Sequence, residues 1–186
     1  MVDVVILAGG KSSRFKKNKM ETLLSGKPIL QHTIESFTNL SNNITVVTGF
    51  YEVDYLKEFI EKHHINVIHN ALHEKGMFGS VLKGVSLVKG DFLLTPGDYP
   101  NISQETIKIL INAKGSIRVP TYKGRKGHPI FIGKSLLESL KNEDIHSNLK
   151  VFRDKHVVNY IEVDDEGILQ DVDYLEDLKN IEERLS

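Results

Sequence analysis

Val4-Val5-Ile6-Leu7-Ala8-Gly9-Gly10-Lys11-Ser12-Ser13-Arg14 is the stretch whose reading decides the fold. Val4 to Ala8 is an unbroken apolar run rich in β-branched residues, which reads as a strand buried on both faces, the kind found in parallel sheets covered by helices. Gly9-Gly10 ends it and opens a loop in which Lys11, Arg14, Lys16, Lys17 and Lys19 crowd together. Outward from this stretch, strand and helix alternate. Helical spacing predicts helices over Ile29 to Phe37, Val53 to Ile60 and Val81 to Val88; short apolar runs predict strands over Ile44 to Val47, Asn66 to Ile68 and Phe92 to Leu94. That order implies βαβ units and an α/β chain: a Rossmann-like, doubly wound, mainly parallel sheet with helices on both faces.

Beyond Asp98-Tyr99-Pro100, Ser103 is placed to N-cap a helix through Ile111, and Ile117 to Val119 returns as a strand that Pro120 closes. Gly127 to Ile132, Val157 to Val163 and Ile168 to Leu169 read as further strands, some antiparallel because the links between them lack helical periodicity. Asp173 with Glu176 three residues later forms a capping-box pattern for a last helix containing Leu175, Leu178, Ile181 and Leu185. A length of 186 residues, 40% of them apolar, and the absence of a linker or repeat point to one domain over 1–186.

Composition narrows the function. A formal charge of −1 gives no field to attract nucleic acid or an anionic membrane, so neither is expected as a partner. With no cysteine there are no disulfides, thiolate metal sites or cysteine nucleophiles. Val2 to Ala8 is too short to span a membrane and lacks the basic flank of a signal peptide, which places the expected location in the cytoplasm. His63, His64, His69 and His73 show no paired metal spacing and read as surface or packing residues.

Ligands of open parallel sheets bind at the carboxyl ends of the strands, where the basic loop emerges. Its glycines let backbone amides approach an anion, and Ser12, Arg14 and Lys19 add donors and charge. It is neither a Walker A loop nor a dinucleotide fingerprint, since neither glycine pattern occurs. Asp98 ends a buried strand on the same edge, where a carboxylate can bridge a hard cation that keeps water and phosphate oxygens.

Leu7-Ala8-Gly9-Gly10-Lys11-Ser12-Ser13-Arg14 with Lys19 resembles the N-terminal motif of nucleotidyltransferases that make sugar nucleotides, cytidylyl precursors and molybdopterin dinucleotides. Further matches are Asn70 before Gly76-Met77-x-x-Ser80, Thr95-Pro96-Gly97-Asp98-Tyr99-Pro100, Gly127-His128-Pro129-Ile130-Phe131 and Asp171-Val172-Asp173. Together they resemble the MobA-like branch, nearest the molybdenum cofactor cytidylyltransferases. The resemblance implies that Leu7 to Arg14 and Lys19 embrace the NTP phosphates, that Asp98 binds magnesium, and that Asn70, Gly76 and Ser80 line the nucleotide pocket. His128 is a candidate acceptor contact or a structural loop histidine. Asp171 and Asp173 are candidates for a second carboxylate near the metal, although an N-cap role is sufficient for Asp173 and is the reading favoured for it.

Departures from the family pattern matter. Phe15-Lys16 stands where Met-Gly is usual, and Glu143-Asp144-Ile145-His146-Ser147-Asn148 stands where Gly-Asp-x-Gly-Ala-Arg is usual, removing an arginine from the acceptor region. Tyr174-Leu175 replaces Thr-Pro. In the resembling families alanine at the position of Gly9 accompanies cytosine and glycine accompanies guanine, so the nucleotide is CTP or GTP, with the rest of the chain favouring CTP.

The implied reaction is in-line attack of an acceptor phosphate on the NTP α-phosphorus, aligned by magnesium, Arg14, Lys19 and Asp98 without a protein nucleophile. The acceptor is a phosphorylated small molecule, with molybdopterin as one candidate and a molybdoenzyme as the corresponding partner. Two alternatives stand beside it: transfer to a sugar or polyol phosphate, and a non-catalytic nucleotide-binding protein that assists cofactor insertion.

Overall fold

The chain opens with β1 (Val2–Leu7), the strand predicted from the deciding stretch. The computed structural model describes every residue except Met1, Ser13, Arg14, Lys16, Lys17 and Ser186, and the side chains of Lys75, Leu175, Asn180, Glu183, Arg184 and Leu185 are likewise not described. A small antiparallel hairpin, β2 (Leu23–Leu24) and β3 (Lys27–Pro28), leads into α1 (Ile29–Glu35). Then follow β4 (Ser41–Thr48), α2 (Lys57–Lys62), β5 (Asn66–His69), α3 (Met77–Val85) and β6 (Phe92–Pro96). The remainder comprises α4 (Gln104–Asn112), β7 (Ile117–Tyr122), β8 (Arg125–Lys126), β9 (Ile130–Ile132), α5 (Leu137–Lys141), α6 (Leu149–Asp154), β10 (Val158–Glu162) and α7 (Leu175–Leu185).

The main sheet runs β10-β7-β9-β6-β1-β4-β5, with β8 paired to β7. β1 pairs in parallel with both β4 and β6, β4 with β5, and β7 with β10. Only β8 and β9 run against their neighbours in this sheet. The doubly wound α/β expectation with antiparallel strands late in the chain is therefore what the protein adopts.

Strand alternation explains why both faces need cover. Val4 and Ile6 join Leu30, Ile34, Phe37, Val46 and Phe131 in one buried cluster. Val5 and Leu7 join Val47, Val81, Val85, Leu94 and Phe152 in the other. Each residue of the Val4–Leu7 run thus has its own core to enter, and a polar residue at any of them would be buried without a partner.

Several boundaries differ from the sequence reading. The Val53 to Ile60 helix is a 3-10 turn (Asp54–Leu56) followed by α2, and α3 begins at Met77, ahead of Val81. Pro120 does not close β7: its carbonyl accepts from the Gly127 N–H at 2.9 Å, on the side where the β9 ladder has already ended at Arg118. The missing proline N–H falls in that gap and costs no ladder bond. Ile168-Leu169 is not a strand but part of a 3-10 turn (Glu166–Leu169) begun by Asp165, whose side chain accepts from the Gly167 N–H at 2.9 Å. Gly127 to His128 precede β9 rather than belonging to it. Ser103 caps α4 as expected, accepting from Thr106 N–H at 3.1 Å. Among the described residues no helix is long and apolar enough to cross a membrane.

Candidate active site

The strand ends open a cleft of about 440 Å³ at the carboxyl edge of the parallel strands. Sheet order sets its layout: His73 follows β5, Phe50 follows β4, Gly9 to Ser12 follow β1, and Asp98 follows β6. All of these line the cleft, as do Leu7, Lys19, Met77, Ser80 and Asp173. β1 is clamped on both sides at its end, since Ala8 N–H donates to Val47 O at 2.8 Å and Gly97 N–H donates to Leu7 O at 2.9 Å. The loop therefore leaves from a fixed point. Ser12 adopts a left-handed backbone (φ +50°), and its Oγ accepts from the Lys19 N–H at 3.1 Å, folding the loop back on itself.

Lys19 is the electrostatic centre. Only 9% exposed, it donates from Nζ to Asp98 Oδ2 at 2.6 Å and to Asp173 Oδ1 at 3.1 Å. Burial alone would lower its pKa, but the Asp98 and Asp173 carboxylates outweigh that and raise it above the ordinary lysine value. Val172 N–H donates to Asp98 O at 3.0 Å, which lays the Asp171-Val172-Asp173 segment against the end of β6. Burial first, then the neighbouring Asp98 and Asp173, raise the Asp171 pKa. Tyr99 is likewise raised, by burial and then by Asp171, Asp98 and Asp173. Asp98 Oδ1 is enclosed and has no hydrogen-bond partner among the described residues.

Asn70 and Ser80 form a buried unit: Asn70 Nδ2 donates to Ser80 Oγ at 3.0 Å, while its Oδ1 accepts from Leu72 N–H at 3.0 Å. Gly49 sits where β4 meets the loop, and a Cβ there would fall 2.7 Å from Gly9 O and 2.8 Å from His73 Cβ. Only a residue without a side chain permits that approach.

A family model described as the MobA-like NTP transferase domain matches residues 4–159. The chain belongs to the MobA-like NTP transferase family. It is 26% identical over 190 residues to a molybdenum cofactor cytidylyltransferase of Escherichia coli, covering 98% of this chain and 96% of that one. It is 36% identical over 115 residues to a 2-C-methyl-D-erythritol 4-phosphate cytidylyltransferase of Clostridium botulinum, with 58% of this chain and 51% of that one covered. Among solved structures, a nucleotidyl transferase from Methanothermobacter thermautotroptrophicus superposes with a TM-score of 0.81 at 21% identity, over 99% of this chain and 97% of that one. This MobA-like transferase is thus an enzyme of the nucleotidyltransferase class.

In this MobA-like transferase the cleft gathers Leu7, Gly9, Gly10, Lys11, Ser12, Lys19, Ser80 and Asp98 from the sequence-derived set. Ala8 instead packs into the core beneath, Asn70 stands behind Ser80, and Gly76 (φ +117°) starts α3. Arg14 lies outside the described residues. Asp171 and His128 are not in the cleft lining. His128 lies on the β9 side, its ring edge-on to Tyr99 with centroids 5.0 Å apart and its Nδ1 enclosed without a partner among the described residues. Burial, together with the nearby Arg153 charge and against a backbone bond at Leu94, lowers its pKa to about 4.

Asp173 corrects the sequence reading most. The helix starts at Leu175, and Asp177, not Glu176, is the first-turn acid that accepts from the N–H groups of Asp173 and Tyr174, at 2.9 and 2.7 Å. The Asp173 side chain reaches Lys19 in the cleft. Phe50, His73 and Met77 were missed as cleft residues, although the strand-end rule applied to β4 and β5 would have found Phe50 and His73. Phe15, the departure from Met-Gly, packs with Leu24, Ile29, Val172 and Leu178, so the basic loop is tied to α7.

Proposed function

We propose that the protein transfers a nucleoside monophosphate from CTP or GTP to a phosphorylated small-molecule acceptor with release of pyrophosphate. The observation that supports it most is the meeting of a clamped phosphate-type loop, Lys19 and the Asp98–Asp173 pair in one cleft. Leu7 to Ser12, with Arg14, receive the triphosphate on backbone amides and side-chain donors. Lys19 neutralises charge on the reacting phosphates.

Oxygen donors suited to a divalent cation are present. Asp98 Oδ1 is enclosed and unpartnered among the described residues, and Asp173 shares the ammonium of Lys19. Magnesium takes one or two carboxylates together with phosphate oxygens and water, which Asp98 and Asp173 fit, with Asp171 behind them. Bound there, the cation would supply charge neutralisation for the triphosphate. Asp98 holds its oxygen in a fixed direction because the β6 backbone beneath it is paired on both sides.

The acceptor would approach from the Asp98 end of the cleft, opposite the Phe50 and His73 end. Its phosphate is anionic near neutral pH, so alignment rather than proton abstraction drives attack on the α-phosphorus. Molybdopterin is the acceptor favoured by the full-length similarity, and its product would pass to a molybdoenzyme. Pyrophosphate release measured with each of four NTPs against molybdopterin, a sugar phosphate and a polyol phosphate tests the reading. Release with CTP or GTP and one acceptor is expected; no release with any combination, while nucleotide still binds, would overturn it.

A further inference from the structure

The cleft end over β4 and β5 is chemically unlike the rest. Phe50 and His73 meet there edge-on, ring centroids 4.3 Å apart at 66°, beside Met77 and Ser80. Lys11 Nζ lies 5.3 Å from the Phe50 centroid. The acids and Lys19 belong to the other end, beyond β1. An aromatic pair with a polar edge suits a flat heterocycle and offers nothing to a phosphate chain.

His73 is held in one orientation. Its Nδ1 lies 2.9 Å from the Asn70 carbonyl oxygen, and its backbone N–H donates to the same oxygen at 3.1 Å. A carbonyl can only accept, so Nδ1 is the donor to it, and Nε2 is the nitrogen left to accept from a ligand. The missing side chain of Gly49 lets the His73 Cβ close in on the end of β4. Glu52 pairs with the neighbouring His69, whose Nδ1 is 3.3 Å from Glu52 Oε1.

We propose that His73 reads the nucleotide base: Nε2 accepts a hydrogen bond from an exocyclic amine while Phe50 packs against the ring. The site then selects cytosine or guanine over uracil or hypoxanthine, which lack the corresponding amine. This rests on the reading of the cleft as a nucleotide site. Uracil would turn a carbonyl lone pair toward Nε2, and hypoxanthine would leave it unmatched.

Equilibrium binding of CTP, UTP, GTP and ITP, measured by calorimetry without acceptor, tests it. The wild-type protein should separate CTP from UTP or GTP from ITP by about ten- to a hundredfold, the scale of one mismatched polar contact. His73→Phe keeps a ring but has no acceptor, and should close the gap by weakening the amine-bearing partner. His73→Gln can present oxygen or amide nitrogen, and should recover that partner while strengthening UTP. Equal affinities within both pairs, or discrimination that survives both substitutions at an unchanged melting temperature, would overturn the base-reading role alone. Failure of all four nucleotides to bind would remove the nucleotide reading and this role with it.

Discussion

Asp98 has two duties in the unliganded protein that must be separated in any substitution. Its Oδ2 neutralises Lys19 at 2.6 Å, while its buried Oδ1 has no hydrogen-bond partner among the described residues. Asp98→Asn retains an oxygen to accept from Lys19 and leaves Asp173 as the counter-charge, so the fold should survive with a melting temperature lowered by only a few degrees. Activity should fall by at least ~10²-fold, the scale of losing one preorganised electrostatic contact. Metal-dependent transfer at the native rate in a folded Asp98→Asn protein would contradict the assignment. His128 gives a second expectation, in stability. Its pKa of about 4 in the folded protein lies below the ordinary 6.5 of an unfolded histidine. Between those values the unfolded chain takes up a proton that the folded chain refuses, so stability falls as pH drops through 6.5 and the loss is complete below about 4. Denaturant unfolding at pH 7 and pH 4.5 should show a loss of about 2–3 kcal/mol from this group, absent in His128→Gln. Parallel pH profiles for the two proteins would exclude it.

At the scale of elements, α3 is the piece whose packing sets the cleft wall. It presses on β1 and β4 through Gly84, where an added Cβ would run into the Val5 side chain and come within 2.9 Å of Val47 Cγ2. Val5 and Val47 are fully buried, with no room to withdraw. Gly84→Ala, a change that normally strengthens a helix, should therefore destabilise by about 1–3 kcal/mol through overpacking. Ser80 sits on the same helix, so nucleotide affinity should fall together with stability. An unchanged or raised unfolding midpoint would show that the helix can shift away from the sheet without cost. By contrast, a Cβ added at Gly9 would meet Ser80 Oγ at 3.4 Å and Gly49 N at 3.5 Å, ordinary contact distances. The absence of a Cβ there does not by itself hollow out space for a purine.

For the whole molecule, what could be read from the sequence follows from how local each signal is. β1 was plain because a run such as Val4 to Leu7 has one physical use, burial on both faces. The place of Asp98 beside the basic loop was legible because strand ends in a parallel sheet converge, and Lys19 was legible through the motif that it completes. α5 and α6 were not, because each spans barely more than a turn and owes its form to what it packs on: Leu140 and Phe152 are fully buried under the sheet. Asp173 was misread since its partner, Lys19, is 154 residues away, a contact that no local pattern encodes. Phe50 and His73 lay within reach of the strand-end rule, but not their contact. Their pairing depends on β4 and β5 lying side by side.

The lysine wedged between Asp98 and Asp173 makes the resting centre its own competitor. On the proposed site, an arriving divalent ion would have to displace an ammonium that both carboxylates already hold, whereas an arriving triphosphate would offer that ammonium new oxygens and free the acids. Cation and triphosphate should thus assist one another, each tightening the other by the same factor, typically 5- to 150-fold for a coupling of this kind. Manganese titrations followed by electron paramagnetic resonance, with and without a non-hydrolysable nucleotide, should reveal weak binding alone and much tighter binding in the ternary state. Equal manganese affinity in both titrations would mean the ammonium was never an obstacle. In physiological terms, a centre that stays locked until its nucleotide arrives is spared from sequestering stray divalent ions between turnovers.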